Sequence, residues 1–180
     1  MMAPHILICK TDRLQLRKFS LDDAPFLLRL LNEESFIRNI GDRNVRGLDD
    51  ARNYISEKLI ASYERYGWGL YLTVLKETKT PIGMCGLVKR DFLPQPDMGF
   101  ALLPDFCGMG YAFEASMAIL YHAENQLALP ELLAITNPDN DKSCALLEKL
   151  GFIFTKQVRP PDENKDLKLY RWGKPVTKSH

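Results

Sequence analysis

The chain has only three histidines (His5, His122 and His180) and four cysteines (Cys9, Cys85, Cys107 and Cys144) among its 180 residues. No cysteines stand as Cys-x-x-Cys and no histidines take metal-ligand spacing, so no metal is expected. The four thiols are too scattered for a disulfide framework and fit a reducing, cytoplasmic compartment. Neither sign of charge is in excess: 24 Lys and Arg against 23 Asp and Glu leave +1. That balance gives no electrostatic drive toward nucleic acid or an anionic membrane. No apolar run approaches the ~20 residues that cross a bilayer. The patch Ile6, Leu7 and Ile8 is too small for a secretion signal and reads as a first strand. Repeats and low-complexity stretches are missing too. What remains is an ordinary globular composition, 46% hydrophobic, at a length that suits one domain over residues 1–180.

Alternating Leu14, Leu16 and Phe19 predict a second strand. Ser20 with Asp23 three residues on is a helix-start signal, followed by Phe26, Leu27, Leu30 and Leu31 at helical spacing. A polar interruption over Gly41–Asn44 precedes a second helix carrying Ala51, Tyr54, Ile55, Leu59 and Tyr63 on one side, with Gly67 as its stop. Strands are expected at Leu70–Leu75, Ile82–Lys89 and Met98–Leu103. After a breaker-rich turn, a helix runs over Tyr111–Gln126 with Ala112, Ala115, Ile119 and Ala123 on one face. A strand at Leu132–Thr136, a helix at Asp141–Leu150 and two strands, Phe152–Gln157 and Leu167–Trp172, complete the chain. This order predicts a mixed α/β sheet of six to seven strands with about four helices on its faces. It is not the βαβ alternation of a doubly wound dinucleotide fold.

Two features carry chemistry. Gly108, Met109 and Gly110, followed by Tyr111 and Ala112, lie between a strand and a long helix. Glycines permit a tight turn that leaves main-chain N–H groups free at a helix N-terminus, a phosphate-binding arrangement. The alternative is a plain glycine-rich turn. A Rossmann fingerprint would want Gly or Ala where Phe113 stands and an acid near Asn137, and no Gly-Lys-Ser/Thr of a P-loop is present. The second feature is Asn137-Pro-Asp-Asn140-Asp-Lys-Ser143. Rotation of about 100° per residue puts Asn140, Ser143, Leu147 and Leu150 on one side of a helix, polar first and apolar after. Either its first turn meets a ligand or Asn140 caps it.

In order and spacing these two features resemble the GNAT superfamily of N-acetyltransferases. More narrowly the chain is similar to the branch containing the ribosomal-protein N-terminal alanine and serine acetyltransferases. Residues carrying the resemblance are the Thr-Asp-Arg-Leu-x-Leu-Arg opening (Thr11 to Arg17), Gly99 to Leu102, the loop Cys107-Gly-Met-Gly110-Tyr-Ala112, and Asn140 to Phe152. It covers about residues 10 to 173. It implies a mostly antiparallel GNAT fold and transfer of an acetyl group from acetyl-CoA to a primary amine, with coenzyme A as product. Its loop pattern, Gln/Arg-x-x-Gly-x-Gly/Ala, has Cys107 in the first position. Leu147 stands where many members place a tyrosine as general acid.

By that resemblance, the cofactor lies between the strand ending near Leu102 and the strand ending near Asn137. Ala101, Leu102, Cys107, Gly108, Met109, Gly110, Tyr111, Ala112, Asn137, Asn140 and Ser143 are its candidate contacts. An N–H near Leu102 would polarise the thioester, and Asn140 would hold the pantetheine arm. Ser143 would relay a proton to the sulfur, or serve only in capping. Asp97 is the candidate base, with a loop-ending role and water-mediated transfer as alternatives, while Glu114 suits the dipole of its helix. Acceptor selection is expected from the helix pair around Ser35 to Arg46, with Phe36, Arg38 and Asn39, and from the loop Val158 to Lys168. The acceptor is a protein N-terminus or a small amine, and the protein a monomer or homodimer. A catalytically silent acyl-CoA-binding module and an unrelated nucleotide-binding protein are the other readings.

Overall fold

The computed structural model describes residues 4–174. Its strands are β1 (Leu7–Lys10), β2 (Leu14–Arg17), β3 (Leu70–Leu75), β4 (Pro81–Val88), β5 (Asp97–Leu102), β6 (Glu131–Thr136), β7 (Ile153–Val158) and β8 (Leu167–Gly173). They form one sheet in the order β1-β2-β3-β4-β5-β6-β8-β7. Only β5 and β6 run parallel, so the fold is the expected mostly antiparallel mixed α/β sheet. The sheet has eight strands where six to seven were expected, and the first, Leu7–Lys10, pairs along β2 as an edge at the patch read as a strand.

The Ser20–Asp23 signal forms its capping box at a 3-10 turn, Leu21–Asp23, that leads into helix α1 (Ala24–Leu31). The Asp23 carboxylate accepts the Ser20 N–H at 2.8 Å and holds the Arg17 guanidinium at 2.9 and 2.8 Å. That pair ties β2 to the helix start, and Asp23 is buried. A short helix absent from the four expected, α2 (Glu34–Asn39), follows; at six residues it is too brief for a periodic signal.

The next helix is continuous but not uniform: α3 (Leu48–Tyr54) passes through a π-helical stretch, Ile55–Ile60, into α4 (Ala61–Tyr66). Ala51, Ile55, Leu59 and Tyr63 are all buried although they recur every fourth residue. On a regular α-helix each such step drifts by about 40°, so the four would spread around the surface. A π turn closes on i+5 and rotates less per residue, which takes back part of that drift. Gly67, at φ 78°, then ends the helix in the left-handed conformation.

Helix α5 (Tyr111–Asn125) packs across β1, β2, β4 and β5, burying Ala115, Ile119 and Ala123 as its pattern predicts. Helix α6 (Asp141–Lys149) packs on β6. No helix among the described residues is long and apolar enough to cross a membrane.

The sheet is two antiparallel blocks, β1 to β5 and β6-β8-β7, joined through one parallel contact. Holding β5 firmly on β4 therefore matters, and Gly83 permits it. A Cβ at Gly83 would lie 2.2 Å from the Ala101 carbonyl oxygen and 2.9 Å from the Leu102 Cα, both main chain. A Gly83→Ala variant is expected to lose about 2 kcal/mol of stability, a fall in Tm of roughly 5 °C in thermal unfolding.

Candidate active site

Strands β5 and β6 share a single register pair, Asp97 with Leu133, where the Leu133 N–H donates to the Pro96 carbonyl at 2.9 Å. Past that point they part. The register with β4 fixes which groups face the gap. Leu103 donates its N–H to Ile82 at 2.8 Å, and successive residues of a strand direct their main-chain groups to opposite edges. Ala101 and Gly99 therefore turn to β4, while Leu102 and Phe100 turn their amides toward the gap. The Ala101 amide belongs to the β4 ladder, so the amides that face the gap are those of Phe100 and Leu102.

The glycine loop lies just beyond the end of β5. Gly108 and Gly110 have φ of 78° and 81°, a region open to glycine at little cost. Gly110 occupies the N-cap position of α5. The Glu114 N–H donates to the Gly110 carbonyl at 3.0 Å, so the amides of Tyr111, Ala112 and Phe113 precede the first helical acceptor. Met109 is 53% exposed at the loop tip. Three orphan donors at the positive end of a 15-residue helix form a receptor for a phosphate group.

Arg13 and Glu114 hold this loop from outside. The Arg13 guanidinium donates to the Met109 carbonyl at 3.0 Å, lies 4.3 Å from the Tyr111 ring centroid and pairs with Glu114 at 2.7 Å. Glu114 also accepts the Thr11 hydroxyl at 2.6 Å and the Arg13 N–H at 2.9 Å. Burial alone would raise the Glu114 carboxyl, but these donors and the guanidinium charge outweigh it and hold it below the usual carboxylate range. Glu114 is thus more than a dipole partner: it joins the β1–β2 turn to α5 at the loop.

Cys107 is exposed, with its thiol pushed up by partial burial and drawn back by the Lys142 ammonium. Lys142 sits in the first turn of α6, so a cation from α6 stands near the position where the loop pattern has a basic or amide side chain. Sequence reading missed Lys142 because only folding brings it to Cys107. It missed the role of Arg13 too, although Arg13 lies in the quoted opening motif.

Asn140 caps α6: its Oδ1 accepts the Ser143 N–H at 3.2 Å. Ser143 is half-buried in the same first turn, and Leu147 is buried in the core. Asn137 turns its side-chain amide nitrogen to α2. Its Nδ2 donates to the Asn39 carbonyl at 2.8 Å and lies 3.5 Å from that of Arg38, tying the end of β6 to α2. Asp97, the candidate base, lies away from the open end of the gap. It is 1% exposed, at the joined end of the β5–β6 gap, with both oxygens 3.1 Å from Arg90 Nε. Five residues of strand, about 16 Å, separate it from Leu102. Burial pushes its carboxyl up, and Arg90 opposes that in part. Its work is to anchor the joined end.

A cleft of about 480 Å³ lies between Ile40–Arg43 and Asp162–Lys165, the two segments expected to select the acceptor. A larger groove of about 920 Å³ follows α5 against β1 and reaches Arg13, Gly110 and Glu114 at the loop.

Residues 13–153 match the acetyltransferase (GNAT) domain family. The uncharacterized N-acetyltransferase YoaA of Bacillus subtilis (strain 168) is 26% identical over 147 residues, 81% of this chain and 82% of its own length. An acetyltransferase from Agrobacterium tumefaciens str. C58 superposes with a TM-score of 0.78 at 27% identity, covering 97% of this chain and 96% of that one. RimL, a ribosomal L7/L12 alpha-N-protein acetyltransferase solved with coenzyme A, shares the fold at a TM-score of 0.80 and 18% identity, over 93% of this chain and 97% of its own.

Two outcomes test these assignments. Asp97→Asn should cost about 2 kcal/mol by leaving Arg90 without its partner, while the pH dependence of kcat stays that of the parent. A Glu114→Gln variant should unfold at lower temperature than the parent near neutrality. Because the folded carboxyl is held low, that difference is present above its ordinary pKa of 4.5 and closes as pH falls through the lowered value. Melting curves across acid pH read it directly.

Proposed function

The chain belongs to the acetyltransferase (GNAT) family, and from that premise we propose that it transfers the acetyl group of acetyl-CoA to a primary amine as one catalytic unit. The observation that carries this reading is the open gap between β5 and β6, which ends at a helix N-terminus with orphan amides. RimL, of the same fold, was solved with coenzyme A.

Tyr111, Ala112 and Phe113 would receive the pyrophosphate on their amides, with Gly108 and Gly110 keeping Cβ atoms out of its way. Lys142 supplies the positive charge that Cys107 does not. Along the gap, the amides of Phe100 and Leu102 extend the strand edge to the pantetheine arm and the thioester. A donor fixed there stabilises the oxyanion formed when the amine nitrogen attacks the carbonyl carbon, worth roughly 3 kcal/mol. When that adduct collapses the carbon–sulfur bond breaks, and the thiolate takes a proton. Ser143, in the first turn of α6, is the side chain proposed to deliver it, contributing about 10²-fold. Asp97 is occupied elsewhere, so the ammonium proton leaves through water. The acceptor enters between Ile40–Arg43 and Asp162–Lys165, as a protein N-terminus or a small amine.

Thermal unfolding with acetyl-CoA, CoA, ATP and NAD tests the cofactor. A ligand at 100 times its Kd adds about 2.7 kcal/mol, a rise in Tm of several degrees, expected for the two CoA species only. Gly110→Glu should abolish that rise, and Lys142→Gln should raise the KM for acetyl-CoA about tenfold. A rise with ATP or NAD instead would overturn the assignment. CoA stabilisation without thiol release on any amine would leave a silent binding module.

A further inference from the structure

The first turn of α5 holds a carboxylate where an anion is to bind. Glu114 is the fourth residue of that helix, directly after Tyr111, Ala112 and Phe113, whose amides form the receptor proposed for the pyrophosphate. A free carboxylate there would repel a phosphate and cancel part of what the helix start offers. The β1–β2 turn answers that charge. Arg13 Nε lies 2.7 Å from Glu114 Oε2, while Oε1 accepts the Thr11 hydroxyl at 2.6 Å and the Arg13 N–H at 2.9 Å. Both carboxylate oxygens are therefore engaged by donors from one turn.

Arg13 reaches beyond that pair. Its Nη1 donates to the Met109 carbonyl at 3.0 Å, its Nη2 lies 3.3 Å from where a Cβ on Gly110 would stand, and its Cζ is 4.3 Å from the Tyr111 ring centroid. One guanidinium thus spans three consecutive residues of the loop. The Arg13 side chain is 45% exposed and that of Glu114 19%, so the cation is the member of the pair more open to a ligand. Other charges surround the turn. Lys10 and Asp12 line the same groove, one of each sign, and both are exposed. Lys149 lies 4.3 Å from the Phe113 ring centroid and Lys142 acts on the Cys107 thiol, with Asp105 and Asp141 exposed in the adjoining turns. Arg13 is the cation that bonds both Glu114 and the loop.

We infer that Arg13 is a positioning residue for the cofactor whose charge cancels that of Glu114, so that a helix start carrying a carboxylate still accepts a pyrophosphate. This rests on the acetyltransferase reading above. The two residues then have opposite effects on the anion although both hold the loop. Removing Arg13 exposes the receptor to an uncompensated negative charge. Removing the Glu114 charge leaves the guanidinium on the Met109 carbonyl with its positive charge free to act on the phosphate.

Titration calorimetry with acetyl-CoA and with CoA at low salt tests the inference. Arg13→Gln should bind both about tenfold more weakly than the parent, and Arg13→Lys, which keeps the charge, should recover part of the loss. Glu114→Gln should bind at least as tightly as the parent even though it lowers Tm. Adding Glu114→Gln to Arg13→Gln should then tighten binding relative to Arg13→Gln alone. A brace without the charge role gives the reverse, because the double variant lacks both halves of the clamp. At about 1 M salt, where the screening length is about 3 Å, the difference between parent and Arg13→Gln should narrow. Melting curves without ligand show which variants fold. If Arg13→Gln does not, Glu114→Gln decides alone, and a loss of affinity in it overturns the inference. An Arg13→Gln affinity equal to the parent's, or a double variant weaker than the single one, overturns it while the acetyltransferase reading stands. A parent that binds neither CoA species overturns that reading and this inference together.

Discussion

The architecture turns on how far two parallel strands stay together. β5 is held along its length by β4, and β6 along its length by β8, but the two meet only at Asp97 and Leu133. Each strand follows its own antiparallel partner and the sheet opens between them. Main-chain groups that a closed sheet would pair are thus left for something else, here the amides of Phe100 and Leu102. A strand edge inside a protein is costly if left empty and useful if a ligand fills it. The pair of buried Asp97 with partly exposed Arg90 marks where the opening begins, at the end away from the loop.

The second constraint is the fixing of the loop after β5. Glycine gives the turn its conformation but also its freedom, so something else must hold it. Arg13 and Glu114 do so by joining the β1–β2 turn to the first turn of α5, with Thr11 adding a third donor. The opening motif around Thr11 to Arg17 is therefore a brace for the loop as well as a strand: Arg13 faces α5, and Arg17 holds Asp23 at the start of α1. The Lys142 ammonium of α6 is close enough to act on the Cys107 thiol. Segments far apart in the chain, the β1–β2 turn and the loop after β5, thus meet at one helix N-terminus.

Where the elements lie was largely legible in the residues. Alternation marked the strands, and the breaker-rich stretch before Tyr111 marked the start of α5. The spacing of Ala51, Ile55, Leu59 and Tyr63 marked a helix, though not its π-helical middle, because fourfold spacing has no signature apart from the packing that selects it. Helix α2 and the partners of Asn137 were illegible for a different reason. Six residues are too few for a period, and an asparagine after a strand gives no hint that its acceptor is 98 residues away.

By itself the sequence determined the class of fold, the glycine turn before a long helix, the capping role of Asn140, and the resemblance that links them to acetyl transfer. These are local properties, written in spacing and in the conformations that glycine and asparagine allow. Tertiary structure alone decided which amides face the gap, that Asp97 is buried against Arg90, and that Asn137 is tied to α2. Each of those depends on strand register or on side chains far apart in the chain. Register is set by the whole pattern of neighbouring strands, and a shift of one residue would exchange every inward group for an outward one.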